Sequence, residues 1–106
     1  MFKVIAVYKT PANDEAKAKL DSHFKEVHVP ICLRIPGIQE VRVNKIFGGP
    51  TGASNLHMIV TMVFENKDGW KAAMKSPEMM ESGKDAMKMA GDLVSVHFAE
   101  EANFRP

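Results

Sequence analysis

The stretch Leu56–Glu65 (LHMIVTMVFE) is almost continuously apolar, with His57 its only early polar member. It is far shorter than the roughly 20 residues a helix needs to cross a bilayer. Its β-branched residues predict a strand covered on both faces. Phe2–Tyr8 (FKVIAVY) has the same signature: Phe2, Val4, Ala6 and Tyr8 alternate on one side, while Ile5 and Val7 are apolar on the other. Two such strands require cover on both sides of one sheet. A chain of 106 residues is the size of one domain, and its helices suffice for only one side.

The other elements follow from local signals. Thr10-Pro11 closes the first strand, because proline removes a ladder donor. Asn13-Asp14-Glu15 supplies a cap and early acidic residues, after which Ala16, Leu20, Phe24, Val27 and Ile31 recur at helical spacing. Pro36-Gly37 breaks the chain before Ile38–Phe47, a strand with Val41 and Val43 on one face and Glu40, Arg42 and Asn44 on the other. A glycine-rich loop, Gly48–Gly52, leads toward the apolar strand. Asn66 then caps a short helix bearing Trp70, Ala73 and Met74, and Ser76-Pro77-Glu78 restarts helix. In that second piece Met79, Gly83, Ala86, Met87 and Ala90 read as the inward stripe, and Gly91 as its terminator. Leu93–Phe98 is the closing strand.

This order predicts one α+β domain over residues 1–106, a ferredoxin-like βαββαβ fold whose four-stranded antiparallel sheet carries both helices on one face. The bare face then exposes Ile5, Val7, Ile59 and Val63, a larger apolar patch than monomers usually show. Glu40, Arg42, Asn44, His57, Thr61, Ser95 and His97 are its polar minority. A second copy, packed sheet to sheet, is the expected cover, so a homodimer is predicted.

Charge and composition exclude several classes. Fourteen basic against 13 acidic residues give no basic face for nucleic acid. The apolar runs are too short for a membrane span, and the amino terminus enters a strand pattern with no signal segment, so a cytoplasmic protein is expected. Cys32 is the only cysteine, which leaves no intrachain disulfide and favours a quiet buried thiol. His23, His28, His57 and His97 show no paired ligand spacing, so neither metal nor cofactor is assigned. The glycine-rich loop lacks the lysine and following helix of a phosphate site.

The segment Phe24-Lys25-Glu26-Val27-His28-Val29-Pro30 holds the first candidate for chemistry. His28 flanks the apolar stripe where the first helix is read to end, so it can be part-desolvated yet reachable, and histidine is the side-chain type best suited to exchange protons under cellular conditions. Its plainer role would be to cap helix carbonyls. Tyr8, at a strand end, is paired with it as a donor to a substrate oxygen; alternatively its hydroxyl simply reaches water. Phe24 and Trp70 offer flat faces, and Met62 and Met74 a soft lining for an apolar guest, although such residues also make ordinary core. His57 and His97 are expected in the dimer seam.

Taken together, the strand ending in Tyr8, the Phe24-x-x-x-His28-x-Pro30 segment, the Pro36-Gly37 break, Phe64-Glu65-Asn66 and Ser76-Pro77-Glu78 resemble the EthD family of dimeric α+β barrel proteins. The resemblance implies a ferredoxin-like dimer with a pocket between sheet and helices. Proteins sharing that barrel include cofactor-free monooxygenases, lactone isomerases, dehydratases and haem-degrading proteins. The resemblance fixes no reaction; the expected function is that of a small pathway protein that binds an apolar cyclic or aromatic compound, as a cofactor-independent monooxygenase, isomerase or dehydratase with His28 as acid or base. A non-catalytic carrier or accessory subunit of a degradative pathway is the alternative.

Overall fold

In the computed structural model, which describes all 106 residues, the elements run β1 (Phe2–Lys9), α1 (Asp14–His23), a π turn (Phe24–His28), α2 (Val29–Leu33), β2 (Ile38–Lys45), β3 (Leu56–Phe64), α3 (Lys67–Met74), α4 (Pro77–Ala90), a 3-10 turn (Gly91–Leu93) and β4 (Val94–Glu100). Every strand pairing is antiparallel and the sheet order is β2-β3-β1-β4. This is the expected ferredoxin-like sheet, and the two strands that are apolar on both sides, β1 and β3, occupy its centre. The helix starts follow the capping residues: Asn13 accepts from the Ala16 amide at 2.8 Å, Asn66 from Gly69 at 2.9 Å, and Ser76 from Met79 at 3.1 Å.

The register sets Val4 opposite Met62, Ala6 opposite Val60 and Tyr8 opposite Met58, and all six side chains are buried. They fall into two apolar clusters. One joins Val4, Met62 and Phe64 to Cys32, Ile35 and Ala73. The other joins Ala6, Tyr8, Met58 and Val60 to Leu20 and Phe24. After Tyr8 the register slips, so that Lys9 faces Leu56 and His57 is the extra residue of a bulge.

The first helix does not end at His28. It widens through the π turn, in which the Val29 amide reaches back to the Phe24 carbonyl, and then continues to Leu33. Pro30 supplies the cause, since its ring crowds the carbonyl four residues back and it has no amide to donate. The extra residue in that turn rotates everything after it. Val27, expected on the core stripe, is exposed, whereas His28 and Cys32 are buried. The capping role for His28 therefore does not arise.

Two further expectations change. Along α4 the inward face is Met79, Ser82, Ala86 and Met89 with Asp85 beside them, while Gly83 and Met87 face solvent; glycine and methionine are a poor guide to facing on a helix whose polar residues are short. On the bare face, Val63 is fully buried within the single chain. The tail after β4 covers that end of the face: the Glu101 amide donates to the Met1 carbonyl at 2.9 Å, and its carboxylate pairs with Lys3 and lies 4.0 Å from Arg42. Ile5, Val7 and Ile59 are only half-buried. No helix is long and apolar enough to cross a membrane.

Candidate functional site

The π turn directs His28 into the helix–sheet interior, where its Nδ1 lies 2.8 Å from Oδ2 of Asp85. The other oxygen of that carboxylate, Oδ1, is 2.8 Å from Nε2 of His23. One aspartate of α4 thus bridges two imidazoles from the α1 segment. The ends of the bridge differ in access: the His28 side chain is 4% exposed and that of His23 is 29%. Burial works to raise the Asp85 carboxyl, but the hydrogen bonds from His23 and His28 outweigh it and hold the group below its usual range. An ionised Asp85 accepts from both rings, which leaves Nε2 of His28 as the ring atom without a protein partner.

Phe24 stacks beside His28 with ring centroids 5.8 Å apart and meets Tyr8 edge-on at 6.3 Å. Tyr8 and His28 therefore share one neighbourhood, as two sides of the Phe24 ring. The Tyr8 hydroxyl is buried with no hydrogen-bond partner. Burial first, then the charges of Cys32 and Asp85, push its phenol far above its ordinary value. Such an orphaned hydroxyl costs about 1–3 kcal/mol. Cys32 lies 3.4 Å from the Ser82 hydroxyl, and burial raises its thiol above the usual value, which makes it a poor nucleophile.

The proposed lining residues do not form one pocket. Met62 is packed with Cys32 and Phe64, and Met74 and Trp70 pack against that cluster from its edge. Trp70 also sits against the exposed Phe98, at 5.0 Å and nearly perpendicular, and lines a cavity of about 230 Å³ with Phe2 and Phe98. Phe24 borders a separate hollow of about 430 Å³ with Asp21, Val29 and Val43. A third cavity, of about 350 Å³, opens between α1 and α4 and is lined by Pro11, Ala16, Lys19, Leu20, His23, Lys88, Met89 and Leu93. Its floor is continuous with the Tyr8 cluster, because Leu20 belongs to that cluster and Met89 packs on it.

His57 also departs from expectation. The bulge after Tyr8 turns it away from the seam, and its Nε2 lies 2.7 Å from Oδ1 of Asp21 on α1. His97 stays on the open face, exposed, beside Ser95 at 3.0 Å. No group of three or more potential metal ligands is present.

His23 and Asp85 were not singled out from sequence. Five residues apart, His23 and His28 would point about 140° apart on a regular helix, and only the widened turn lets both reach one carboxylate. The available signal was Pro30 inside the apolar stripe, which announces an irregular turn.

The antiparallel β2-β3-β1-β4 sheet with helices on one face, which here packs a part-buried imidazole–carboxylate pair, is that of a ferredoxin-like α+β protein. The EthD domain family model matches residues 12–92, and the chain belongs to the EthD family. A protein of the ethyl tert-butyl ether D (EthD) family from Bacillus halodurans is 35% identical, with 96% of this chain and 99% of that one covered and a TM-score of 0.87. A dimeric protein of ferredoxin-like fold from Bacteroides fragilis is 20% identical, with 94% and 95% covered and a TM-score of 0.65. SnoaB, a cofactor-independent oxygenase from Streptomyces nogalater, is similar in fold at 12% identity, with 99% and 95% covered and a TM-score of 0.63. No curated protein matches the chain.

Proposed function

We propose that this protein is a homodimeric, cofactor-independent acid–base catalyst acting on an apolar cyclic or aromatic compound, with His28 as the proton acceptor and Tyr8 as the donor to a substrate oxygen. The observation that carries the reading is the buried His28, fixed through Nδ1 by Asp85 while Nε2 stays unpartnered. A carboxylate on one ring nitrogen orients the imidazole and stabilises the imidazolium that forms when the other takes a proton. Removal of a proton from the carbon next to a carbonyl, or from a phenol hydroxyl, leaves a delocalised anion. Isomerisation returns that proton to another carbon; dehydration expels hydroxide from the neighbouring carbon, which leaves as water with the proton His28 took; and in oxygenation dioxygen, as the oxidant, adds to the same anion to give a peroxide that takes that proton. The orphaned Tyr8 hydroxyl supports the reading, since a substrate oxygen would give it the partner it lacks. Fold likeness to a cofactor-independent oxygenase supports the oxygenase branch.

The second reading is a non-catalytic carrier. It is favoured by the fact that the cavity beside the site is lined by His23 and not by His28. Turnover separates the two. With a compound that the unmodified protein converts, His28→Ala should lower kcat by about 10²- to 10⁴-fold, the usual share of a general acid or base. Unchanged turnover in a folded His28→Ala variant removes His28 from the mechanism, and tight binding with no conversion of any compound favours the carrier.

A further inference from the structure

The cavity between α1 and α4 has a one-sided charge pattern. Lys19 and His23 come from α1, one helical turn apart, and Lys88 comes from α4; the remaining lining residues, Leu20, Met89, Leu93, Pro11 and Ala16, are apolar. No acidic side chain lines it. Lys19 and Lys88 take part in no ion pair, unlike Lys3 and Lys17, which are paired with Glu101 and Asp14. Asp85, the carboxylate that contacts the lining residue His23, is already occupied by two imidazoles. A space of about 350 Å³ is at the small end of the range that encloses small organic molecules.

We propose that this cavity is a ligand-binding site on the entry side of the interior and that its ligand is an amphipathic organic acid, with a carboxylate held by Lys19, Lys88 and His23 and an apolar body lying on Leu20, Met89 and Leu93. Two lysines that take part in no ion pair, beside a His23 whose Nε2 is already on Asp85 and whose Nδ1 remains as the donor, favour an anion there and disfavour its neutral counterpart. The apolar floor is shared with the Tyr8 cluster, so a ring seated on Leu20 and Met89 lies against the layer that contains Tyr8 and Phe24. The inference rests on the small-molecule reading given above and adds the chemical class and the entry side. His23 would then link ligand and interior by geometry, since the carboxylate on its Nε2 is the one that also holds Nδ1 of His28.

The test is calorimetric titration of the unmodified protein with benzoate, 2-naphthoate and octanoate, each against its primary amide. At least one acid should bind ten or more times as tightly as its amide, with affinity falling as salt rises. In Lys19→Gln/Lys88→Gln that preference should shrink about tenfold while the amide is unaffected, and the His23 ring resonances should shift on titration with the acid. If no acid binds more tightly than its amide, or if the preference survives in the double variant, the proposal is overturned. Because the readout is binding, its failure leaves the His28 turnover test standing, and loss of the His28 role leaves this one intact.

Discussion

Tyr8, which is buried, and Asp85, which is half-buried, have opposite energetic standing. The Tyr8 hydroxyl is enclosed without a partner, so Tyr8→Phe removes a polar atom that the fold does not satisfy. The variant should melt at the same temperature as the parent or higher, by up to about 4–8 °C if about 1 kcal/mol is recovered, while losing activity or ligand affinity. A drop in melting temperature would mean that the hydroxyl is satisfied in solution. Asp85 accepts from His23 and His28, and Asp85→Asn should cost about 1–3 kcal/mol at pH 7 in chemical unfolding. The pH dependence has a definite sign. Because the folded carboxyl is held below its usual value, its contribution is present above the unfolded pKa of about 3.9 and is lost as pH falls through the lower folded value. The gap between parent and Asp85→Asn should therefore narrow between pH 5 and pH 2, and a constant gap would assign the loss to packing alone.

At the scale of elements, two glycines of one helix region should respond oppositely to the same substitution. Gly91 ends α4 at φ 53° and ψ −121°, a conformation that side chains avoid, and nothing crowds its missing Cβ. Gly91→Ala should thus destabilise by about 1–3 kcal/mol from backbone strain alone. Gly83 lies exposed inside α4 with open space around it, and Gly83→Ala should stabilise by about 0.5–1 kcal/mol. Denaturant midpoints of the two variants, one shifted down and one up, check both. Element order, caps and strand pairing were legible because they depend on local signals: Asn13, Asn66 and Ser76 as caps, Gly91 as terminator, alternation in β1 and β3. The facing of the helices was less so. A stripe drawn at constant helical pitch passes through Val27 and Met87, and the π turn at Phe24–His28 and the short polar residues Ser82 and Asp85 defeat it. His28 was legible as a candidate, but its partner, 57 residues further along the chain, was not, since only the packing of α4 on α1 brings them together.

For the whole molecule, the bare sheet face decides assembly. Ile5, Val7 and Ile59 remain half-buried in the isolated chain, and the proposed homodimer would cover them. Light scattering at micromolar concentration should give twice the 11.8 kDa chain mass, and Ile59→Lys should give the single-chain mass with unchanged helix content. Val63 is unsuited to that test, because it is buried within its own chain and a charge there would unfold the subunit before it divided a pair. The π turn has a consequence at this scale as well. Its extra residue aims His28 inward but takes no part in strand pairing or in the sheet order. A relative without that widening would keep the same sheet order and the same apolar centre, so its fold alone would say nothing of where its imidazole points. On the proposed role of His28, the register of that turn, and not overall identity, would be the feature to read first in an alignment of relatives.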